Sequence, residues 1–299
     1  MTVAARGGDK TAGRPSAGGR RLPLSWLGIV PFGAYVGLFL LLPTGIVIVG
    51  AFAGRDGPTL GNLGDLALPY IVTSFVNSLV VSAVTAVIGA VGGALLSYAV
   101  VTGNRDGFLR RVVTSTCGVL AQFGGVTLAF AFIATLGGAG FVTLFLQQHG
   151  VDIYAKGVWL YKLPGLALVY VYFQIPLMVL VFLPALDGIK PQWREATKSL
   201  GGSTWDYWRF VAGPLLLPAF LGATLLLFAN AFSAYATAAA LINQGGIVVP
   251  IQISNAITSE VGLARGQLAS TLAFGMVVIV AIVMSLYAVL QRRTARWLS

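Results

Sequence analysis

Residues 195–218 read EATKSLGGSTWDYWRFVAGPLLLP and separate two long apolar runs of the chain. The stretch contains two acidic and two basic residues, and it also contains the adjacent glycines Gly201 and Gly202. Two tryptophans and two prolines complete this mixture of charge, aromatic surface and turn formers. Polar and turn-forming residues inside an otherwise apolar chain indicate a surface with a specific role. The rest of the sequence tells where that surface lies.

The composition of the chain is that of a membrane protein. Of its 299 residues 57% are hydrophobic and 9% are charged, whereas soluble domains carry about 25% charged residues. The net charge of +10 could indicate nucleic-acid binding, but the basic residues lie in short gaps between apolar runs. We therefore predict an integral membrane protein that binds no nucleic acid.

Cysteine and histidine each occur once. The single cysteine, Cys117, excludes a disulfide within the chain, and the single histidine, His149, leaves no basis for a metal site rich in either residue. We interpret Cys117 as a packing residue inside an apolar run and His149 as a surface residue.

Six apolar runs are long enough to cross a bilayer, which requires about 20 residues. They are Trp26–Ala53, Phe75–Val101, Val112–Leu136, Gly165–Leu186, Ala219–Ile242 and Gly266–Leu290. The first run could be a signal peptide cleaved after residues 51–53, but it far exceeds the roughly 7–15 apolar residues of such peptides. No run alternates strictly as a membrane β-barrel strand does, so we predict an all-α protein with six transmembrane helices.

The basic residues predict the orientation of the six helices. Fifteen of the nineteen lysines and arginines lie in the N-terminal tail, in the loops after the second and fourth helices, and in the C-terminal tail. The four on the opposite side are Arg55, Lys156, Lys162 and Arg265. Because loops rich in Lys and Arg stay in the cytoplasm, we predict cytoplasmic termini and a cytoplasmic loop at 188–218. Residues 1–22 would be a disordered basic tail.

Two longer segments are predicted on the external side. Residues 137–164 include the apolar stretch 141–146, which is too short to span a bilayer and precedes the polar residues 147–149. We expect a short helix at the outer surface there. The link between the last two spans, 243–265, carries the polar residues Asn243, Gln244 and Glu260.

The chemistry of catalysis and of ion coupling is missing from the sequence. The six apolar cores contain no Asp, Glu, Lys, Arg or His, which disfavours an ion-driven pump, although sodium sites made of carbonyls and hydroxyls remain possible. The chain also lacks the G-x-x-x-x-G-K-[ST] phosphate loop, the H-E-x-x-H motif and a G-x-S-x-G elbow. We predict no catalytic residue and no metal site. Energy for uphill transport would therefore come from another polypeptide.

The cytoplasmic loop 188–218 contains the signals of a short helix followed by a turn. Pro191 suits the first turn of a helix that runs to Leu200. Gly201 and Gly202 would end that helix, because glycine accepts the positive φ that a helix C-terminus often needs.

A second short helix is predicted behind the glycines. Ser203 or Thr204 can cap it, and Gly213 and Pro214 would end it before the chain re-enters the bilayer near Pro218. One interpretation is a rigid element that docks on a soluble partner. The alternative is a pair of amphipathic helices with aromatic anchors at the headgroup level, which are common in membrane proteins.

The spacing of the loop resembles a family signature. Residues 195–197 (Glu-Ala-Thr), Gly201 three residues later and residues 211–214 (Val-Ala-Gly-Pro) nine residues after that resemble E-A-A-x3-G-x9-I-x-L-P. That signature is typical of the membrane permeases of binding-protein-dependent ABC importers, where it lies on a cytoplasmic loop two spans before the C-terminus. The sequence departs from it at Thr197, which stands for the second Ala, and at Gly213, which stands for Leu; Val for Ile is conservative.

The resemblance covers about residues 70–295 and implies a fold and a set of partners. Residues 70–299 would form the five-helix core of a type I importer permease, and residues 23–69 would add one N-terminal helix and an external loop. ATP-hydrolysing subunits would bind ATP and Mg, so that this chain needs no cofactor. A second permease, which we expect to be a paralogue, and an extracytoplasmic solute-binding protein would complete an importer in the cell membrane. The resemblance assigns the coupling to the ATPase to Glu195, Ala196, Gly201, Gly202, Trp205 and Pro214.

Polar residues inside the predicted spans are candidates for a translocation path. The candidates are Asn230, Ser233, Tyr235, Thr237, Gln122 and Asn77. Residues 230, 233 and 237 are spaced by three and four, which places them on one face of a helix. The competing interpretation is that such groups only hydrogen-bond across helix interfaces, and the sequence leaves both open.

The substrate is suggested only by similarity. The stretch FANAFSAYATAAALI at 228–242, followed by VPIQI at 249–253, looks like permeases for spermidine and putrescine and for iron, thiamine or phosphonates. A polyamine-type or other small charged solute is therefore favoured, and a sugar is the next candidate. A membrane scaffold without transport is the least favoured interpretation.

Overall fold

The structure is a computed structural model that describes residues 25–54, 57–103, 107–155, 157–242, 247–258 and 264–295. The tail predicted at 1–22 and the loop residues Asn243, Gln244 and Glu260 lie outside these ranges. Six helices of the described part are long and apolar enough to cross a membrane, as the six apolar runs predict. The chain divides into two compact units, Met1–Ile46 and Val47–Ser299.

The first unit contains α1 (Ser25–Val36), a π-helical turn (Gly37–Leu41) and the beginning of α2 (Leu42–Phe52). The wide turn is closed by a hydrogen bond from the N–H of Leu42 to the carbonyl of Gly37. Pro43 follows it directly. A proline lacks the N–H group and presses on the carbonyl four residues earlier, and a wider turn relieves that clash without ending the helix.

The second unit begins with short elements and continues with the five remaining spans. A two-stranded hairpin pairs β1 (Ala53–Gly54) with β2 (Gly57–Pro58), and a 3₁₀ helix covers Gly61–Ala67. The helices before the loop 188–218 are α3 (Pro69–Thr102), α4 (Phe108–Gln122), α5 (Gly125–Leu136), α6 (Phe141–Gln148) and α7 (Leu163–Asp187). Behind them come α8 (Pro191–Ser199), α9 (Thr204–Tyr207), a π turn (Trp208–Ala212), α10 (Gly213–Ser233), α11 (Ala236–Leu241), α12 (Val249–Thr258) and α13 (Ala264–Ala295).

Helices α3 and α7 pack closely because α3 presents glycines to its partner. A Cβ atom at Gly89 would lie 2.7 Å from the Cβ of Gln174, and one at Gly93 would collide with Met178. Small residues four apart allow this approach in membranes, where dispersion between helices replaces the hydrophobic effect. At the same contact the fully buried Gln174 donates a hydrogen bond of 2.7 Å to the hydroxyl of Thr85. Such a bond is worth about 1 kcal/mol.

The short helix α12 is attached to α3 by polar groups. Ser78 accepts a hydrogen bond of 2.9 Å from the N–H of Val249, and Asn77 donates one of 3.1 Å to the carbonyl of Ile247. Gln252 donates to the hydroxyl of Ser74 at 3.2 Å. A helix of 10 residues is too short to cross a bilayer, so these bonds fix it against the longer helix.

Two predicted spans are interrupted, and one predicted helix end is absent. The third span is broken at residues 123–124 between α4 and α5, and the fifth is broken at residues 234–235 between α10 and α11. The prediction that Gly213 and Pro214 end the second loop helix is wrong, because the chain stays helical from Thr204 to Ser233. The π turn at Trp208–Ala212 explains this, since it accommodates Pro214 in the way the first π turn accommodates its own proline.

The short helix predicted at 141–146 is present as α6, which lies within the third candidate span, Gly125–Gln148, so its place at the outer surface stays a prediction. His149 caps its end from the surface, where its Nδ1 lies 2.8 Å from the carbonyl oxygen of Phe145. Cys117 is buried in α4, as expected for a packing residue.

Candidate functional site

The first half of the loop 188–218 is a helix followed by a tight glycine turn. Helix α8 starts at Pro191, and its C-terminal turn needs two glycines for different reasons. Gly201 has a φ of +79°, in the left-handed region that favours glycine. At Gly202 a Cβ atom would lie 2.7 Å from the methyl group of Thr197. Thr197, a departure from the family signature, donates its hydroxyl to the carbonyl of Trp193 at 2.9 Å. The turn predicted from the sequence is therefore present.

The second half of the loop begins with a capping box. The N–H of Asp206 donates to the hydroxyl of Ser203 at 3.2 Å, and the N–H of Ser203 donates to the carboxylate of Asp206 at 2.8 Å. This reciprocal pair satisfies two N–H groups at the start of α9. Because α9 continues without interruption into α10, the loop is a rigid extension of the fifth span.

The loop exposes charged and apolar side chains to its surroundings. Glu195 and Ala196 lie on the exposed surface of α8, and within the described part of the chain Glu195 forms no ion pair. Leu200 is 88% exposed, and Trp205 and Phe210 are also exposed. Exposed large apolar side chains in one loop, together with a carboxylate that forms no ion pair among the described residues, are typical of a surface that another protein covers.

An ion pair holds the loop at its entry. Asp187, the last residue of α7, accepts two hydrogen bonds from the guanidinium group of Arg110 on α4, at 3.1 and 2.5 Å. The two residues are 77 positions apart in the sequence, and both side chains are partly buried. The bidentate geometry fixes the orientation of both groups. It ties the start of the loop 188–218 to α4, the helix before the break at residues 123–124.

Four of the six candidate path residues line one cavity. Asn230, Ser233, Tyr235 and Thr237 border a space of about 290 Å³ on the wall formed by α10 and α11. The break in the fifth span lies in this wall, so Thr237 is on a separate short helix and not on the helical face that the spacing predicts. All four side chains nevertheless reach the same cavity.

The opposite wall of the cavity is the break in the third span. Ala121, Gly124 and Gly125 line it, and Phe173 of α7 lies between the two walls. Gly125 has a φ of +69°, and a Cβ atom there would lie 3.7 Å from the Cβ of Ala236. The sequence analysis missed these residues, although the pair Gly124-Gly125 was a visible signal of an interruption.

The cavity is lined by both polar and apolar groups, and its described lining carries no charge. Among the residues that the structure describes, no Asp, Glu, Lys, Arg or His lines it. Tyr235 hydrogen-bonds to Ser254 at 2.8 Å, and Ser233 donates to the carbonyl of Ala229 at 2.9 Å. Thr237 is 3% exposed, and its hydroxyl has no hydrogen-bond partner among the described residues. Hydroxyl, amide and main-chain groups are therefore available to a solute that enters.

Two candidate residues lie elsewhere. Gln122 is exposed at the end of α4, next to the cavity residue Ala121 but not in the lining. Asn77 is used in attaching α12 to α3. For Asn77 the structure thus favours the interpretation of a bond across a helix interface.

The comparison with known families identifies the class of protein. Residues 99–296 match the family described as "Binding-protein-dependent transport system inner membrane component", and the chain belongs to this family. It is a multi-pass inner-membrane protein and the permease subunit of a binding-protein-dependent ABC importer. In such importers ATP is hydrolysed on a separate subunit, so the chain is a transport protein and not an enzyme.

Individual relatives carry different solutes. The chain is 25% identical over 237 residues to the sulfate transport system permease protein CysW of Escherichia coli strain K12, which is 77% of this chain and 78% of that protein. It is 27% identical over 197 residues to the putative ferric transport system permease protein FbpB 1 of Haemophilus influenzae, which is 64% of this chain and 30% of that protein. The fold is similar to that of a bacterial ABC transporter involved in the import of the acidic polysaccharide alginate, with a TM-score of 0.74, 17% identity, and 90% and 95% of the two chains covered.

Proposed function

We propose that the chain forms one wall of a translocation path for a small solute, which an extracytoplasmic binding protein delivers. In this proposal the loop 188–218 receives the motion of the ATPase on the cytoplasmic side, where both termini also lie. A second permease, for which we favour a paralogue, closes the open side of the cavity. The single observation that carries the proposal is the polar cavity between the breaks in the third and fifth spans.

Helix breaks that face each other support a path for solute. Main-chain groups at a break are free of the helix ladder, and inside a membrane they are tolerated where they line a cavity. The relatives named for sulfate and ferric transport handle small charged species. A small charged solute is consistent with both this lining and these names. A polyamine stays within that proposal, and a sugar is the second candidate because hydroxyl and amide groups also suit it.

We expect that the hydroxyl of Thr237 and the amide of Asn230 contribute directly to transport. The variants Thr237→Val and Asn230→Ala should each lower uptake about fivefold, because a lost hydrogen bond costs about 1 kcal/mol. Cells that express the importer are tested with sulfate, putrescine and maltose as an anionic, a cationic and a sugar probe. The matched control is Thr224→Val, which removes a hydroxyl of α10 bonded to the carbonyl of Phe220 and absent from the cavity lining. If Thr237→Val and Asn230→Ala take up the solute as fast as the control Thr224→Val, the cavity is not the translocation path.

We also expect Glu195 to pair with a basic residue of the ATPase. Breaking a buried charge pair by changing one partner costs roughly 3–5 kcal/mol, so Glu195→Lys should abolish ATPase co-purification or uncouple ATP hydrolysis from transport. The control is Gln192→Lys, which places a lysine at another exposed position of the same helix and removes no carboxylate. Unchanged uptake and unchanged stimulation of ATPase activity in Glu195→Lys would remove this assignment. If the chain purifies without any ATPase, the scaffold interpretation is favoured instead.

A further inference from the structure

Two adjoining pockets lie on the coupling-loop side of the bundle, away from the proposed path. An apolar groove of about 450 Å³ is bounded by Val91, Ala94 and Leu95 of α3 and by Leu216, Leu217 and Phe220 of α10. A second, polar pocket of about 520 Å³ lies below the groove, against α8. Tyr98, Leu186 and Trp208 line both pockets, so the two form one continuous site.

The polar pocket concentrates hydrogen-bond donors and positive charge. Arg194 and Lys198 line it together with the carboxylate of Glu195, which leaves one net positive charge. Tyr207 is 7% exposed, and its hydroxyl has no hydrogen-bond partner among the described residues. Arg194 and Tyr98 both lie within electrostatic range of that hydroxyl. An unpartnered hydroxyl, a second phenol and a guanidinium group that converge in this way suit a phosphate group.

One further carboxylate lies near the site but is already neutralised. Asp187 follows the shared lining residue Leu186, and its two oxygens are bonded to the guanidinium of Arg110. The charge offered to a ligand is therefore that of Arg194 and Lys198, reduced only by Glu195.

The apolar groove opens sideways from the bundle. Leu95 is 64% exposed, and Val91 and Leu217 are about half exposed, so the groove faces the region that the membrane hydrocarbon occupies. From Thr102 in the polar pocket to Val91 at the far end of the groove, α3 rises about 16 Å. Half the hydrocarbon thickness of a bilayer is about 15 Å. The combined site thus has the length of one lipid leaflet, with the donors at the headgroup end.

We propose that this site binds an anionic phospholipid of the leaflet on the coupling-loop side. The phosphate is held by Arg194, Lys198 and the hydroxyl of Tyr207, and an acyl chain fills the apolar groove. The lipid then lies between α8 and the spans α3 and α10, which in the function proposed above is the joint that receives the motion of the ATPase. The observation behind this proposal is the continuity of an apolar, laterally open groove with a cationic donor cluster, and it does not depend on the solute.

The test is lipid retention by the purified full chain. The chain is stripped of lipid in a neutral detergent, mixed with equal amounts of phosphatidylglycerol and phosphatidylcholine, and analysed by native mass spectrometry. The wild type should retain phosphatidylglycerol preferentially. The variant Arg194→Gln/Lys198→Gln should retain less phosphatidylglycerol, by a factor of about five for each cation removed. The control Arg209→Gln removes one cation from the same loop, as each single variant Arg194→Gln or Lys198→Gln does, and Arg209 lines neither pocket, so this variant should retain lipid as the wild type does.

A second pair of variants tests the groove. Ala94→Phe places a ring in the groove and should lower the retention of both lipids, whereas Ala99→Phe, on the exposed surface of α3 outside the lining, should not. Tyr207→Phe removes only the hydroxyl of Tyr207. It is used in place of Arg194→Gln/Lys198→Gln if the double variant does not purify as a monodisperse protein. Equal retention in all variants overturns the proposal. So does displacement of the lipid by inorganic phosphate alone, which would indicate an anion pocket, or by the ATPase subunit, which would indicate a protein docking surface.

Discussion

At the scale of single residues, the ion pair of Arg110 and Asp187 places each charge where its own helix disfavours it. Arg110 lies in the first turn of α4 and Asp187 at the end of α7. A helix N-terminus favours anions and a C-terminus favours cations. The two charges therefore gain nothing from their helices, and their stabilisation comes from each other. This arrangement fits a contact whose role is to position the loop entry.

Reversing this pair is expected to preserve it. Asp187→Asn should lower the free energy of unfolding by about 1 kcal/mol, because the pair is partly exposed and screened by solvent. Arg110→Asp alone should cost more, because it puts two carboxylates in contact. The double variant Arg110→Asp/Asp187→Arg restores an ion pair and also suits both helix dipoles, so it should unfold at or above the wild-type temperature. Thermal unfolding of the purified chain in detergent measures all three, and a double variant as unstable as Arg110→Asp would contradict this account.

The distance in sequence explains why this pair was not predicted. Two residues 77 positions apart meet only because α4 and α7 pack together. The turn at Gly201 and Gly202, in contrast, could be read from the sequence because a helix end is a local event with its own residue preferences.

At the scale of elements, the α3–α7 contact depends on Gly93. Gly93→Leu should push the two helices apart and cost about 1–3 kcal/mol, since overpacking strains a close contact. Thermal unfolding in detergent should show a lower midpoint. Gly118→Leu is the matched control, because a side chain at Gly118 in α4 meets no atom within 4 Å. A Gly93→Leu protein as stable as the control would show that the interface adapts without cost.

The number of spans could be predicted, but the break in the fifth span could not. Apolar length is enough to count the membrane helices, and the six runs agree in number with the six candidate spans. The third candidate span is Gly125–Gln148, shifted from the predicted Val112–Leu136, and the fifth is Thr204–Ser233, shifted from the predicted Ala219–Ile242. The break at 234–235 falls in SAYATAAA, where neither glycine nor proline announces it. It becomes visible only in the tertiary structure, where α11 packs against α5 and both line the cavity. At Pro214 the sequence predicts a helix end that is absent from the structure. The helix continues there because a π turn removes the penalty that proline normally imposes.

The candidate site was predicted in its chemistry and only partly in its geometry. Polar spacing selected Asn230, Ser233 and Thr237, and the cavity collects them although they are not on one continuous helix. Asn77 had the same polarity but bonds to the carbonyl of Ile247 instead. Residue type alone does not distinguish a group that lines a cavity from one that closes an interface.

At the scale of the whole molecule, the orientation in the membrane is open to a direct test. Cys117 is the single cysteine and is buried, so Cys117→Ser provides a background for single labels. With a membrane-impermeant maleimide on intact cells, His149→Cys should be labelled. Lys190→Cys and Leu200→Cys should be labelled only after permeabilisation, because the charge distribution puts their loop inside. Labelling of Lys190→Cys in intact cells would reverse the proposed topology.

The π turn at Trp208–Ala212 accommodates a proline, and it also sets the rotation of α10 about its axis relative to the turn that precedes it. A π turn holds about one residue more than an α turn, and each residue of an α-helix rotates the chain by about 100°. The face of α10 that carries Asn230 and Ser233 is therefore aligned with the capped turn at Ser203 by a single extra residue. In genetic terms, the loss of one codon in this turn would leave composition, hydropathy and span length almost unchanged. It would nevertheless turn Asn230 and Ser233 by about 100° relative to the capped turn, so the helical phase set by the π turn decides which side chains line the cavity.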